Sequence, residues 1–256
     1  MLLLGPAWGL LTNALIYLPF SIFLFRAPYT GHTTEAAEQR APFGFGDVWS
    51  VFATARTESR IMTMIVLAGA SSFFVGNAFQ AQMPEYAQYL GANDTGARYT
   101  ILLAANAAGA VLGVILLESA TLLQPTARTA IVCAAFWAVA MGLFPMTQDY
   151  VTAVVLLVVA GVFSIAFTSV AQTVVQMLAP AGVRGSIVGL FNTAMMGLRA
   201  GAGVTVGVMG AFTGVRLSLE LSSLMVLLVT LALLVREARN GADEPAGSLA
   251  TDRESV

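Results

Sequence analysis

The amino-acid sequence predicts an all-α integral membrane protein with about seven transmembrane helices. Hydrophobic residues make up 57% of the 256 residues, charged residues only 10%, and the mean hydropathy is +0.80. A soluble domain carries about a quarter charged residues, so this composition excludes an ordinary soluble fold. The apolar residues also fall into runs of roughly 20, the helix length that crosses a hydrocarbon core about 30 Å thick.

Seven apolar stretches are long enough, or nearly long enough, to cross a bilayer. The sixth follows a short turn of proline, glycine and arginine, is rich in glycine, and carries Arg199 near its centre. The fourth and fifth are separated only by residues 148–150, and the last two only by residues 213–216, so each pair is expected to be antiparallel. The stretches are 2–25, 61–83, 100–117, 129–147, 151–179, 187–213 and 217–235.

These stretches divide the chain into four parts. Residues 1–25 form a first transmembrane helix, residues 26–60 a cytoplasmic loop, and residues 61–240 a six-helix bundle, while the polar tail 241–256 is expected to be disordered. Within the loop, apolar residues recur at helical spacing behind Asp47, a candidate N-cap. This pattern predicts an amphipathic helix on the inner membrane face, with a protein-binding helix as the alternative. Its apolar residues are Phe45, Val48, Trp49, Phe52 and Ala55.

The arginines fix the predicted orientation. Every basic residue is arginine, and with a cytoplasmic C-terminus only Arg98 and Arg216 lie outside. Because basic residues concentrate in cytoplasmic loops, the sequence predicts a multi-pass protein of the inner (plasma) membrane with its C-terminus in the cytoplasm. The arginines placed inside are Arg26, Arg40, Arg56, Arg60, Arg128, Arg184, Arg236, Arg239 and Arg253.

Composition also excludes several functions. The formal net charge of −2 leaves no basic surface for nucleic acid. The chain has no lysine, so neither a retinal Schiff base nor a lysine nucleophile is available. Its only cysteine, Cys133, and its only histidine, His32, exclude an intrachain disulfide, a cysteine-rich zinc site and a haem held by two histidines. We therefore predict no cofactor, no metal and no enzymatic activity.

Polar side chains interrupt the apolar stretches at a few positions. Four residues of the fifth stretch follow strict i, i+4 spacing and share one helix face. They either line a substrate path or form hydrogen bonds between helices. Asn77 and Gln80 form a similar pair in the second stretch, and Asn106 is the only strongly polar residue of the third. The four residues of the fifth stretch are Ser164, Thr168, Gln172 and Gln176.

Arg199 needs a partner because a charged side chain at mid-bilayer costs about 2.5–3.5 kcal/mol on insertion scales. It shares a predicted helix face with Asn192, Gly203 and Gly210, and the glycines predict that this face packs against another helix. Its partner is either a group of the bundle, such as a backbone carbonyl, or an anionic group of a substrate or of another half. Small-residue packing signals recur at Gly109 and Gly113, Gly197 and Gly201, and Gly203 and Gly207.

Four sequence segments resemble the major facilitator superfamily. They are FQAQMPEYAQYLG (79–91), GARYTILLAANAAGAVLG (96–113), PAGVRGSIVGLFN (180–192) and MGLRAGAGVTVG (196–207). The chain is similar to the C-terminal half of such a transporter, in the branch of bacterial exporters that includes the enterobactin and macrolide efflux-like proteins. The resemblance implies that the first stretch corresponds to the family's sixth helix and the six later stretches to helices seven to twelve.

This resemblance implies two three-helix repeats, at 61–147 and 151–235, and secondary active transport of a small amphipathic molecule by alternating access. Drug-like compounds and siderophores are the implied substrates. The fifth stretch would be helix ten, which lines the central path. The turn bearing Arg184 and Gly185 would latch the inner gate, with a simple topology anchor as the alternative. The implied partners are the lipid bilayer, the substrate and an N-terminal half that precedes this sequence.

Two other functions stay open. The first is a non-transporting remnant, because half of a rocking transporter has no opposing half to move against. The second is a seven-helix membrane receptor, which the absence of lysine and the layout of one helix plus six disfavour.

Overall fold

The structure, a computed structural model, describes residues 5–26, 45–91, 96–120 and 124–242. Within these ranges every regular element is helical, which confirms the predicted fold class. The α-helices are α1 (Gly5–Arg26), α2 (Phe45–Thr57), α3 (Ser59–Phe74), α4 (Ala78–Ala81), α5 (Met83–Tyr89), α6 (Ala97–Ala120), α7 (Ala127–Leu143), α8 (Tyr150–Leu178), α9 (Arg184–Asn192), α10 (Arg199–Ala202), α11 (Met209–Thr213) and α12 (Val215–Ala242). Most of the predicted loop, including His32, and the tail lie outside the described residues.

Six helical segments of the described chain are long and apolar enough to cross a membrane. Three of them combine several elements. The first span joins α3 to α4, the third continues from α7 into the 3-10 helix Phe144–Met146, and the glycine-rich span joins α9, α10 and α11 through two π-helical segments. The six are Ser59–Ala81, Ala97–Leu117, Ala127–Met146, Tyr150–Leu178, Arg184–Thr213 and Val215–Arg239.

The chain divides into two compact units, residues 1–48 and residues 49–256. The first unit contains α1, whose 22 residues extend about 33 Å, enough to cross a hydrocarbon core. The second unit contains all six membrane-length segments. Its apolar core gathers fully buried side chains from every region of the bundle, such as Ile61, Leu102, Leu157 and Phe191.

The packing of the six spans has an internal symmetry. α6 packs on α8 as the glycine-rich span packs on α3, and α7 packs on α8 as α12 packs on α3. Two further contacts, α7 with α12 and α3 with α8, map onto themselves when the first three spans are exchanged with the last three, whereas the packing of the glycine-rich span on α12 and of α3 on α7 has no counterpart of similar extent. This is the contact pattern expected of two three-helix repeats, although the sequence itself shows only matching hydropathy.

The predicted tight turns are confirmed. α8 begins directly after Asp149, whose carboxylate accepts hydrogen bonds from the Thr152 backbone N–H at 2.7 Å and from the Thr152 hydroxyl at 2.8 Å. These hydrogen bonds, the backbone one first, hold the pKa of Asp149 below its ordinary value. At the other turn, Gly214 has a φ of +90°, a left-handed conformation that reverses the chain between α11 and α12.

Helix α2 confirms the helix predicted in the loop but corrects two details. It begins at Phe45, so Asp47 lies in its first turn and is not the N-cap. Trp49, assigned to the apolar face, is 72% exposed, whereas Val51 is buried together with Ala55. Packing against the bundle, which the spacing of one short segment does not encode, decides which side of α2 is covered. The location of α2 on the membrane surface stays a prediction.

The glycine pairs behave differently from one another. A Cβ atom at Gly109 would collide with the backbone of α8, and one at Gly113 would collide with the Ile165 side chain and lie 3.0 Å from the Val162 carbonyl oxygen, so this pair permits close helix packing as predicted. A Cβ atom at Gly203 or Gly207 would meet nothing within 4 Å among the described residues. The second pair lies in the π-helical segment Gly203–Val208, and its role in helix packing stays a prediction.

Candidate functional site

A polar crevice opens at mid-depth of the bundle, where four spans meet. Its volume is about 60 Å³, and its walls come from the first span, α7, α8 and the glycine-rich span. Ser71, Ser164 and Arg199 each lie near the middle of their own span, so the crevice is central in the membrane. The lining residues are Ala68, Ser71, Ser72, Gly76, Asn77, Trp137, Ser164, Phe167, Thr168, Met195 and Arg199.

Arg199 is positioned by an irregular backbone. It begins the four-residue helix α10, which lies between the π-helical segments Thr193–Gly197 and Gly203–Val208. Such segments inside α-helices often mark functional sites. The side chain is exposed, and no hydrogen-bond or ion-pair partner for it is found among the described residues. A cation at mid-membrane therefore faces the crevice without a fixed counter-charge.

The chain approaches Arg199 closely at Gly76. This residue has a φ of +46°, and a Cβ atom there would lie 2.9 Å from the Cβ of Ala202 and 3.6 Å from the Cγ of Arg199. Only glycine combines this backbone conformation with so little space. The break between α3 and α4 thus lets the first span pass directly beside the arginine.

Serine hydroxyls form one wall of the crevice. Ser72 donates a 2.5 Å hydrogen bond to the Met195 carbonyl, within the first π-helical segment, and so ties the first span to the glycine-rich span. The Ser71 hydroxyl is buried, with the residue only 3% exposed, and has no hydrogen-bond partner among the described residues. A buried polar atom left unpaired costs about 1–3 kcal/mol, so this hydroxyl is suited to a water or ligand in the crevice.

An aromatic wall completes the crevice. The rings of Trp137 and Phe167 lie 5.9 Å apart, tilted by 30°, and both side chains are nearly buried. Across from them, the Thr168 hydroxyl donates to the Ser164 carbonyl at 3.0 Å, a bond within its own helix. The crevice thus presents a cation and hydroxyls beside apolar rings.

The structure brings together four of the predicted site residues and separates the others. Asn106 donates to the Leu157 carbonyl at 3.3 Å, so it links α6 to α8 and is structural. The residues that reach the crevice are Asn77, Ser164, Thr168 and Arg199. The predicted residues outside its lining are Gln80, Asn106, Gln172, Gln176 and Asn192.

Among the described residues the predicted Arg199 face is packed only in part, and its packing against another helix stays a prediction. Asn192 and Gly203 are exposed, and of the residues assigned to that face only Gly210 is buried, where a Cβ atom would meet Gln82. The i, i+4 rule assumes 3.6 residues per turn, whereas the π-helical segments insert extra residues and rotate the following helix. Spacing therefore could not predict which residues share a face in this span.

Several crevice residues were not predicted. Ser71 and Ser72 are adjacent polar residues in an apolar stretch, a signal that was available in the sequence. Gly76, Trp137 and Met195 give no such signal, because glycine, tryptophan and methionine are ordinary residues of membrane helices. Their role depends on how separate spans pack.

The turn between α8 and α9 is held by Arg184. Its Nε donates to the Ala179 carbonyl at 3.3 Å, next to the C-terminal end of α8, while a Cβ atom added at Gly185 would meet nothing within 4 Å among the described residues. A cation at this helix end is favourable because it lies close to the free carbonyls. The contact fits an anchor of the turn. Its predicted gating role stays a prediction.

No group of three or more histidine, cysteine, aspartate or glutamate side chains that could hold a metal occurs among the described residues. The family model described as Major Facilitator Superfamily matches residues 1–204, a range that includes every residue of the crevice. No curated protein matches the chain. Since the match covers most of the sequence and the bundle has six membrane-length helices, the chain belongs to the Major Facilitator Superfamily of multi-pass membrane transporters.

Proposed function

We propose that this chain forms one six-helix half of a secondary active exporter and that the crevice is its part of the substrate path. The observation that carries the proposal is Arg199, a mid-membrane cation that faces a hydroxyl-lined cavity with no counter-charge among the described residues. A structural arginine would be expected to bond backbone carbonyls or a carboxylate of the bundle.

The exposed polar residues support the proposal that the face of the bundle bearing Arg199 lines the substrate path and is not covered by lipid. Asn77, Asn192 and Arg199 are all exposed within membrane spans, and such groups face water or protein rather than lipid. The two least buried spans, Ala97–Leu117 at 22% and Arg184–Thr213 at 17%, are exchanged by the internal symmetry of the bundle. An opposing half would cover one side of each of these two spans in equivalent ways, as alternating access by two rocking halves requires.

The chemistry of the crevice suggests a substrate class. A guanidinium attracts an anionic or hydrogen-bond-accepting group, while Trp137 and Phe167 favour an adjacent apolar body. A small amphipathic molecule meets both demands. Drug-like compounds and siderophores, the substrates implied by the resemblance to the enterobactin and macrolide exporter branch, are of this kind. The arginine distribution supports a plasma-membrane protein with a cytoplasmic C-terminus.

Binding of a charged amphipathic dye tests the role of the crevice. The purified chain is titrated with an anionic fluorescent amphiphile and with a cationic one of similar size. Loss of a charge-assisted hydrogen bond, worth about 1.5–3 kcal/mol, should make Arg199→Gln bind the anionic dye at least tenfold more weakly. Arg239→Gln is the matched control, because it removes one arginine from an exposed helix end far from the crevice. Equal effects of the two variants would contradict the proposal.

Transport is measured separately in proteoliposomes. Dye movement by the chain alone would refute the non-transporting remnant. Binding without movement would instead point to the need for an opposing half. In a transporting preparation, Thr168→Leu should change the preference among dyes without lowering expression, since Thr168 lines the crevice but bonds only its own helix. Loss of folded protein would favour a packing role for this residue.

A further inference from the structure

A second, larger cavity lies between α6, α7 and α8. Its volume is about 510 Å³, within the range of roughly 300–1,000 Å³ typical of sites for small apolar ligands. We call it the lateral groove. Its lining is apolar apart from Arg128 and Thr129, and includes Leu116, Phe136 and Phe163.

The lateral groove is separate from the crevice. Both use α8, but the crevice takes Ser164, Phe167 and Thr168, whereas the groove takes Val162, Phe163 and Ala166. Because successive residues turn by about 100° around a helix, the two sets are centred on different sides of α8, although Phe163 and Phe167 lie close together. If the crevice faces the substrate path, as proposed above, then the groove faces the bilayer.

Two observations indicate that the groove is open to lipid. Leu116 and Phe136, which stand on its two edges, are 54% and 53% exposed. From Arg128 to Phe136 the groove follows α7 for about 12 Å, compared with about 15 Å for one leaflet of the hydrocarbon core. An acyl chain lying along α7 would therefore extend through most of one leaflet.

The polar end of the groove carries positive charge. Arg128 is the second residue of α7, is exposed, and has no hydrogen-bond or ion-pair partner among the described residues. The same end of the bundle holds Arg60, Arg184 and Arg236, because each of these also lies at a helix end on that side, together with Glu237, which pairs with Arg60 at 3.7 Å. A basic membrane face attracts anionic headgroups, whose depth matches that of Arg128.

We propose that the lateral groove binds an anionic phospholipid, with one acyl chain between α6, α7 and α8 and the phosphate against the Arg128 guanidinium. The apolar lining supplies affinity for any acyl chain, and Arg128 supplies the preference for negative charge. Arginine suits this role because its planar donors match the oxygens of a phosphate.

Native mass spectrometry of the purified chain tests the proposal. The chain is titrated with phosphatidylglycerol and, separately, with phosphatidylcholine that carries the same acyl chains. The parent should bind phosphatidylglycerol more tightly. Arg128→Gln should reduce that preference about fivefold, the effect of one basic residue near anionic lipid, while Arg239→Gln leaves it unchanged.

A second pair of variants tests the acyl chain. Leu116→Trp fills the groove from its exposed edge and should weaken the binding of both lipids about tenfold, since fewer methylene groups are buried. Leu112→Trp is the matched control, because Leu112 is exposed one turn earlier on α6 and does not line the groove. All four positions are exposed, so the variants are expected to fold.

Three results would overturn the proposal. If Arg128→Gln and Arg239→Gln preferred phosphatidylglycerol equally, Arg128 would not contact the headgroup. If the two tryptophan variants bound lipid equally well, the groove would not hold the acyl chain. If the dye that binds the crevice displaced the lipid, and if this displacement were lost in Leu116→Trp, the groove would be a substrate site and not a lipid site. Failure of the crevice proposal would appear instead as unchanged dye binding by Arg199→Gln.

Discussion

Replacement of Gly109 by alanine gives the sharpest test of how the bundle is built. A Cβ atom at this position would lie 2.8 Å from the Val158 carbonyl carbon and 2.9 Å from its Cα, and closer still to its carbonyl oxygen. These are backbone atoms, which cannot rotate away as the end of a side chain would. α6 and α8 must therefore move apart.

The size of the effect follows from the required movement. Ordinary contacts begin at 3.4 Å, so the Val158 carbonyl carbon alone requires the helices to separate by about 0.6 Å and the nearer carbonyl oxygen requires more; a gap of that size forfeits a quarter or more of the local dispersion energy. Overpacking of this kind costs about 1–3 kcal/mol. The separation would also lengthen the hydrogen bond from Asn106 to the Leu157 carbonyl, which is already 3.3 Å long.

Thermal or detergent-induced unfolding of the purified chain measures this cost. Gly189→Ala is the matched control, because Gly189 lies in α9 with nothing within 4 Å of its Cβ position and should be neutral or gain up to about 1 kcal/mol of stability. Gly161, which approaches α6 from the other side, should show coupling: after Gly109→Ala, Gly161→Ala should cost less than it does alone. Equal stability of the Gly109 and Gly189 variants would refute the close-packing account.

Three further predictions concern single contacts. The folded-state pKa of Asp149 is lowered, so its stabilising cap on α8 is fully present above about pH 3.9 and is lost as the pH falls through the lowered pKa. Asp149→Ala should therefore lower the thermal midpoint of unfolding at pH 7. In strong acid the variant and the parent should have the same midpoint. Tyr86→Phe removes a 2.8 Å hydrogen bond to the Val215 carbonyl and should cost about 1 kcal/mol in unfolding experiments. Burial raises the pKa of Tyr86, so this loss should be equal at pH 6 and pH 9. Gly76→Ala, at a φ of +46° and against Ala202, should cost about 1–2 kcal/mol and weaken anionic-dye binding.

Hydropathy predicted the membrane spans of the bundle to within a few residues. The stretch 151–179 is α8, Tyr150–Leu178, and the stretch 217–235 lies inside α12. An apolar composition over about 20 residues is enough to predict a membrane span. Lipid cannot form hydrogen bonds with backbone N–H and C=O groups, so a chain that crosses the bilayer must pair these groups within a helix. The first span is irregular, since a left-handed Gly76 interrupts it.

The candidate site was predictable only in part. Ser164 and Thr168 were found from i, i+4 spacing because α8 is a regular helix of 29 residues. The same spacing extended the set to Gln172 and Gln176, but neither of these lines the crevice. Arg199 could be predicted as a site residue because charged side chains are rare at mid-membrane. Its neighbours could not be predicted, because two π-helical segments change which residues lie beside it.

The sequence by itself determined that the chain is helical, where the helices cross the membrane, and which end of the bundle is rich in arginine. These properties follow from local composition, since the bilayer acts on each apolar stretch separately. Only the tertiary structure decided that Ser71, Trp137 and Arg199 meet in one crevice, and that α8 presents a polar face on one side and the lateral groove on the other. Contacts between distant spans depend on side-chain packing and on irregular turns, and neither is written in the hydropathy of a single stretch.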